Sequence, residues 1–251
     1  MPSQSQPLRP IPPNMADRLI VALDVPTIAG AREMIDRLDG VVSFFKIGLW
    51  LAFAEGVDGL IHSLTASGKK VFLDAKMYDI GRTVEEGVAR AADRGVNILT
   101  VHGDARIMEA AVKGKGNSSL NIFAISVLTS LDDAALKEMG YALTAKEMIH
   151  LRAKHAVQFG LDGMIASAAD DPNELRRIAG SERLLIGTPG IRGADETSDD
   201  HARLATPSSA IERGSDYLVV GRPIIANADP VARARQIIAE MEAGARLRRN
   251  G

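Results

Sequence analysis

Eight short apolar segments recur along the chain, and the segments between them carry apolar residues at helical spacing. LIVALDV at 19–25 and VSFFKIG at 42–48 are typical of buried strands, whereas TIAGAREMIDRLDG between them is amphipathic. Because alternating strands and helices favour a parallel sheet, eight such units within about 230 residues predict a closed barrel. The predicted strands are 19–25, 42–48, 70–75, 97–102, 121–128, 163–167, 183–189 and 217–221.

The pattern therefore predicts an α/β protein, a single-domain (β/α)8 (TIM) barrel that spans residues 17–251. An open doubly wound sheet would need a glycine-rich turn after its first strand, and LDVPTIAG contains no G-x-G-x-x-G. The final helix is expected from about Pro230 to Arg249. Five prolines among the first thirteen residues predict that residues 1–16 form a disordered tail.

The composition is that of an ordinary globular enzyme, with 46% hydrophobic and 25% charged residues. A formal net charge of -2 favours neither nucleic acid nor an anionic membrane as a partner. The chain has no cysteine, which excludes disulfides and thiolate metal sites and fits a reducing cytoplasm. No apolar run has the length of a membrane span or of a secretory signal, so we expect a cytoplasmic protein.

Polar and charged residues collect at the ends of the predicted strands rather than at their starts. In a (β/α)8 barrel the catalytic groups lie at the carboxyl ends of the strands, so this asymmetry indicates an enzyme. The residues at or just beyond such ends are Asp24, Lys46, Asp74, Lys76, His102, Ser126, Thr129, Arg192 and Arg222.

The third predicted strand runs into KVFLDAKMYDIGRTV at 70–84, which carries three charges within six residues. In a regular strand Asp74 and Lys76 point to the same side, so an ammonium group would lie beside a carboxylate. A single Asp-x-Lys is more often a surface ion pair at a strand end. The addition of Asp79, Gly81 and Thr83 favours a functional site instead.

Two cationic, glycine-containing loops follow the last two predicted strands, where barrels of this type often bind phosphate. GTPGIRGADETSDDH follows strand seven, is about as long as an active-site lid, and contains Arg192, whose guanidinium suits a phosphate. VVGRPI ends strand eight, where Gly221 permits close approach of an anion and Arg222 adds charge. Either loop alone would be an ordinary solvated turn, but the pair predicts a phosphate site.

His102 ends the fourth predicted strand, and no second His, Cys or acidic residue stands at ligand spacing from it. We therefore expect no metal site.

The pattern Asp-x-Lys-x-x-Asp-Ile-x-x-Thr at 74–83 resembles that of the orotidine 5'-phosphate decarboxylase family, and the likeness extends from about Arg18 to the C-terminal helix. It implies decarboxylation of orotidine 5'-phosphate to uridine 5'-monophosphate, the last step of de novo pyrimidine nucleotide synthesis, without metal or cofactor. Lys76 would protonate carbon 6, and Asp74 would lie near the departing carboxylate. Lys46 would link Asp74 to a ribose hydroxyl, and Asp24 would hold the ribose.

The resemblance also assigns the remaining candidate residues. Asp79 and Thr83 would reach into the site of a partner subunit, which implies a homodimer with shared active sites. Thr129 matches a substrate-binding threonine, and Ser126 is a weaker candidate for contact with the pyrimidine edge. Arg192, Gly221 and Arg222 would grip the phosphate. The family usually has a glutamine nine residues after its lid arginine, where this chain has His201, whose imidazole can donate one hydrogen bond to the phosphate but has a shorter reach.

Two alternatives stay open at this point. Magnesium-dependent 3-keto-gulonate-phosphate decarboxylases and hexulose-phosphate synthases share Asp-x-Lys-x-x-Asp, although Ile80-Gly81-Arg82-Thr83 and GTPGIRG favour the nucleotide enzyme. A non-catalytic nucleotide-binding barrel would need the phosphate grip but not the proton donor Lys76.

Overall fold

The computed structural model describes residues 11–128, 130–193 and 205–250 of the chain. Within them, eight parallel strands close into a barrel in sequence order, with β1 paired to β8, which confirms the predicted (β/α)8 fold. The strands are β1 Leu19–Ala22, β2 Phe44–Ile47, β3 Lys70–Met77, β4 Ile98–Val101, β5 Asn121–Ile125, β6 Gly163–Ile165, β7 Leu185–Thr188 and β8 Tyr217–Val220.

Helices lie between the strands and after the last one. They are α1 Ile28–Arg37, α2 Leu49–Ala52, α3 Val57–Ala66, α4 Gly81–Asp93, α5 Ala105–Lys115, α6 Asp133–Glu138, α7 Ala145–Phe159, α8 Pro172–Ala179, α9 Pro207–Glu212, α10 Arg222–Ile225 and α11 Pro230–Asn250. Short 3-10 helices span Met15–Arg18 and Ala168–Asp170. In the described parts of the chain, no helix is both long and apolar enough for a bilayer crossing.

Alternation of side chains along each strand divides the core into two layers. In β1, Leu19 and Val21 face the surrounding helices, whereas Ile20 and Ala22 face the barrel interior. The interior layer is completed by residues of most other strands, chiefly large ones: Phe44, Phe72, Ile98, Phe123, Leu185, Tyr217 and Val219. Side chains thus fill the centre of the barrel, so a binding site in it can form only at one of its two ends.

The strands are mostly shorter than predicted, but β3 is longer and irregular. Leu73 pairs with Leu99, and the next pair is Met77 with Val101, so four steps along β3 match two steps along β4. The extra residues form a β-bulge at 74–76, a feature that hydrophobic patterning does not show. The bulge lies where the strand leaves the core, and it determines how Asp74 and Lys76 are presented.

A buried ion pair lies at the amino ends of the last strands, although the sequence predicted that charged residues collect at the opposite ends. Arg176 pairs with Asp216, and both side chains are almost wholly buried. Arg176 also donates to the carbonyls of Leu184 and Gly214, and the Asp216 carboxylate accepts from the backbone N–H of Ile186. Because these polar atoms satisfy one another, the pair joins α8 to β7 and β8 at the end of the barrel opposite the candidate site.

Candidate active site

A cavity of about 280 Å³ opens at the carboxyl ends of the strands. Its floor is apolar, and its lining includes predicted site residues from the ends of five strands. They are Asp24, Lys46, Asp74, Lys76, Arg192, Gly221 and Arg222. The structure thus brings together seven of the candidates that were far apart in the sequence.

Lys46 on β2 is the central cation of the cavity. Its Nζ lies 3.2 Å from Oδ1 of Asp24 and 3.5 Å from Oδ2 of Asp74. The Lys46 residue is only 9% exposed, because β2 and its neighbours enclose the aliphatic stem. A buried ammonium between two carboxylates is well compensated, and it fixes the spacing of strands β1, β2 and β3 at this rim.

Asp74 receives three polar partners. Its Oδ2 lies 2.8 Å from Nζ of Lys76 and also faces Lys46. Its Oδ1 accepts a hydrogen bond of 2.8 Å from the hydroxyl of Thr100 on β4. Burial alone would raise the pKa of Asp74, but the charges of Lys46 and Lys76 and the hydrogen bonds outweigh it, so the pKa lies below its ordinary value. Asp74 is therefore an anion at neutral pH.

Lys76 has an unusual backbone. Its φ is 46°, in the left-handed region that non-glycine residues seldom adopt. Its N–H donates to Oγ1 of Thr100 at 3.0 Å instead of joining the strand ladder. Asp74 and Lys76 therefore converge on one cavity, but through the bulge and this turn rather than through regular alternation.

The loops after β7 and β8 bring two arginines to the cavity lining. Arg192 follows β7, and its backbone N–H donates to the carbonyl of Ala205 at 3.0 Å, beside a short bridge between Ile191 and Ala205. Gly221 follows β8, and an added Cβ there would lie 3.2 Å from Oδ2 of Asp24, so a larger residue would crowd that carboxylate. Arg222 begins α10 and also lines the cavity. Two arginines in one cavity lining suit a dianion such as a phosphate.

The comparison with known families identifies the family to which this barrel belongs. Residues 17–237 match the orotidine 5'-phosphate decarboxylase / HUMPS family. The chain belongs to this family.

Relatives and a solved structure agree with that assignment. The chain is 47% identical over 226 residues to an orotidine 5'-phosphate decarboxylase of Caulobacter vibrioides, covering 89% of this chain and 97% of the relative. It is 47% identical over 237 residues to one from Methylobacterium nodulans, covering 93% and 99%. The crystal structure of orotidine 5'-phosphate decarboxylase from Lactobacillus acidophilus superposes with a TM-score of 0.79 at 34% identity, covering 90% of this chain and all of that one.

Two residues of the family pattern stand apart from the cavity. Asp79 is exposed, and its Oδ1 accepts from the N–H of Ile80 at 2.6 Å. Thr83 is exposed in the first turn of α4, and neither residue lines the cavity of its own chain. Thr129 and His201 lie outside the described residues, so the structure says nothing of their predicted contacts.

Ser126 follows β5 and is buried, but it does not line the cavity. Its carbonyl accepts a hydrogen bond from the guanidinium of Arg152, a buried residue of α7. Gly103 leaves room for this contact, because an added Cβ would collide with the Arg152 side chain and with the carbonyl of Ile125. Arg152 thus anchors the end of β5 from behind, next to Ile125 and Val127 of the cavity lining.

His102 supports the loop that follows β3. The backbone N–H of His102 donates to the carbonyl of Met77 at 2.9 Å. The centroid of its ring lies 4.4 Å from that of Tyr78. Burial and the nearby charge of Arg152 lower the pKa of His102 and favour a neutral imidazole. Among the described residues, no group of three or more His, Asp or Glu side chains is arranged to hold a metal ion.

Sequence reasoning missed Thr100 and Arg152. Thr100 was hidden inside the apolar run NILTVH, where its only signal was a hydroxyl at an inward-facing position of a core strand. Arg152 lies on a helix far along the chain, and nothing in its local sequence distinguishes it from an exposed helical arginine. Both become visible only when the barrel closes.

Proposed function

We propose that the protein is a cytoplasmic enzyme that decarboxylates orotidine 5'-phosphate to uridine 5'-monophosphate, the last step of de novo pyrimidine nucleotide synthesis. The observation that carries this proposal is the array Lys46–Asp74–Lys76, in which one largely buried carboxylate contacts two ammonium groups in a cavity that Arg192 and Arg222 also line. An array of this kind suits a reaction in which a carboxylate leaves and a carbanion takes a proton. The names of the relatives support the same substrate.

In the proposed reaction, the bond between carbon 6 and the substrate carboxylate breaks and its electron pair stays on carbon 6. Carbon dioxide leaves, and the Lys76 ammonium delivers a proton to that carbon. Water then returns a proton to the lysine. The 2.8 Å contact with Asp74 orients the ammonium, and the negative charge of Asp74 disfavours the substrate carboxylate beside it.

Two groups of residues in the cavity lining would hold the rest of the nucleotide. Asp24 and Lys46, which are 3.2 Å apart, would bind the ribose hydroxyls through the carboxylate oxygen and the ammonium. Arg192, Arg222 and the backbone at Gly221 would bind the phosphate. The phosphate contacts would then contribute binding energy without taking part in the bond changes at carbon 6.

We further propose a homodimer in which Asp79 and Thr83 complete the site of the partner subunit. Both are exposed, and neither lines the cavity of its own chain. Large apolar side chains are also exposed on the segments after β2 and β3, among them Phe53 at 87% and Ile80 at 74%. An apolar surface beside residues without a role in their own site is what a shared interface requires.

The proposed catalytic unit spans residues 17–251, and we propose that residues 1–14 are dispensable. Met15 packs against the core, so the sharpest truncation begins there. A chain that starts at Met15 should keep the turnover of the full chain.

We also propose that the reaction needs no metal, since Asp74 already has its charge compensated by Lys46 and Lys76. The test follows the fall in ultraviolet absorbance when orotidine 5'-phosphate is added, with release of uridine 5'-monophosphate checked by chromatography, with and without excess chelator. Equal turnover in both samples is expected. Loss with chelator and recovery with magnesium, together with turnover of a 3-keto-gulonate phosphate, would instead support the sugar-phosphate branch of the family.

A further inference from the structure

Thr100 occupies a position with no contact to the cavity but with two contacts to its reactive residues. It lies on β4, is wholly buried, and is surrounded by the apolar interior. Its hydroxyl donates to Oδ1 of Asp74 at 2.8 Å and accepts from the N–H of Lys76 at 3.0 Å. One small group is thereby bonded to the carboxylate of one proposed catalytic residue and to the backbone of the other.

The second contact, between the Lys76 N–H and the Thr100 hydroxyl, replaces a ladder hydrogen bond that is lost at the bulge. With a φ of 46°, Lys76 turns out of the strand ladder, and its N–H would be left buried without an acceptor. The Thr100 hydroxyl supplies that acceptor. A left-handed conformation at a residue with a long side chain costs free energy, so it persists only where the surroundings impose it.

The first contact, from the Thr100 hydroxyl to Asp74, gives the two oxygens of that carboxylate different partners. Oδ1 is occupied by the Thr100 hydroxyl, which leaves Oδ2 to face the ammonium groups of Lys76 and Lys46. Only a group that is both donor and acceptor can serve Asp74 and Lys76 together, and a hydroxyl is the smallest such side chain. Valine has the shape of threonine but neither function.

We propose that Thr100 is a positioning residue: its hydroxyl holds the left-handed backbone of Lys76 and the carboxylate plane of Asp74, and so aims the Lys76 ammonium. This rests on the proposed decarboxylation for its catalytic consequence, but not for the contact itself. The hydroxyl touches neither substrate nor cavity, so its removal should affect the chemical step more than nucleotide binding.

The test compares Thr100→Val and Thr100→Ser with the wild type. Thr100→Val should lower kcat by roughly 10- to 100-fold, because it removes a charge-assisted hydrogen bond and leaves a buried donor unpaired. Thr100→Ser keeps the hydroxyl and should remain within about threefold of the wild-type kcat. The dissociation constant for uridine 5'-monophosphate should change by less than about threefold in both.

Thr188→Val is the matched control. Thr188 is also wholly buried on a barrel strand, its hydroxyl lies 2.7 Å from that of Ser215, and it does not line the cavity. It should lose thermal stability to a similar extent but keep kcat. Wild-type kcat in Thr100→Val, or equal losses of kcat and nucleotide binding in the Val and Ser variants, would overturn the proposal.

A readout without substrate separates this inference from the proposed function. Hydrogen exchange at the Lys76 amide should be slow in the wild type and in Thr100→Ser, and at least about tenfold faster in Thr100→Val. If the wild type fails to turn over orotidine 5'-phosphate but this pattern holds, the proposed function is wrong and the positioning contact stands. Fast exchange at Lys76 in the wild type would overturn the contact itself.

Discussion

The Nζ of Lys76 lies 2.8 Å from Oδ2 of Asp74. This contact orients the ammonium, and a charged group held in a fixed orientation makes electrostatic stabilisation of a transition state effective. The same carboxylate faces Lys46, which also contacts Asp24. Charge compensation in this array leads to the predictions below.

The first prediction concerns the pH dependence of stability. Because the pKa of Asp74 is lowered by folding, its carboxylate stabilises the protein above the ordinary carboxyl pKa near 4. That contribution is lost as the pH falls through the ordinary value towards the lower folded value. The difference in unfolding free energy between the wild type and Asp74→Asn should therefore be constant from about pH 8 to pH 5 and shrink below about pH 4.

Urea denaturation at each pH measures this difference. Asp93→Asn is the control, since Asp93 is an exposed residue of α4 whose contact with Arg90 is 3.8 Å long. It should change stability little at any pH. A difference for Asp74→Asn that already shrinks between pH 7 and pH 5 would show that the carboxylate is not held as an anion.

The second prediction concerns Arg222 and the phosphate. Loss of a charge-assisted contact should lower kcat/KM for orotidine 5'-phosphate by about 30- to 1000-fold in Arg222→Ala. Orotidine itself has no phosphate, so its slow reaction should scarcely change. Arg90→Ala, on the exposed face of α4, serves as the control. Equal losses for both substrates would mean that Arg222 supports the fold or the charged array instead.

A third prediction concerns the exposed apolar surface. Phe53→Glu places a charge on the most exposed large apolar side chain among the described residues, beside the segment that follows β2. If that surface is the dimer interface, the variant should sediment as a monomer and lose most of its turnover, because Asp79 and Thr83 of the partner would be absent. Leu247→Glu, at an exposed position of α11, should keep both the assembly and the turnover. A dimeric, fully active Phe53→Glu variant would place the interface elsewhere.

The fourth prediction tests whether sites are shared. Lys76→Ala and Asp79→Ala chains should each be inactive alone. After subunit exchange, half of the dimers are mixed and each mixed dimer has one intact site, so about a quarter of wild-type turnover should return. Proven exchange without recovery would contradict a shared site.

Much of the barrel could be predicted from the sequence because its causes are local and repeated. Each core strand is a short apolar run, and Val84 and Val88 of α4 have the spacing that buries one helical face. Clustering of charge at strand ends followed from the topology, since parallel strands bring Lys46, Asp74 and Lys76 to one rim.

The finer geometry could not be predicted because it depends on pairing between strands. The bulge in β3 appears only in its register against β4. The left-handed φ of Lys76 occurs at a residue other than glycine, so the sequence does not indicate it. The role of Thr100 requires knowledge of which side chain lies across from Asp74. Arg176 and Asp216 are 40 residues apart, and nothing near either residue in the sequence indicates a buried pair.

Turnover by Lys76→Ala is the measurement that tests the central claim most directly. The variant should lose at least about 10²- to 10⁴-fold in kcat for orotidine 5'-phosphate, because the proton donor is gone. It should still bind uridine 5'-monophosphate within about tenfold of the wild type, since the ribose and phosphate contacts remain. Lys113→Ala, an exposed residue of α5, should match the wild type in both assays. Substantial turnover by a pure Lys76→Ala protein would contradict the assignment of Lys76 as the proton donor.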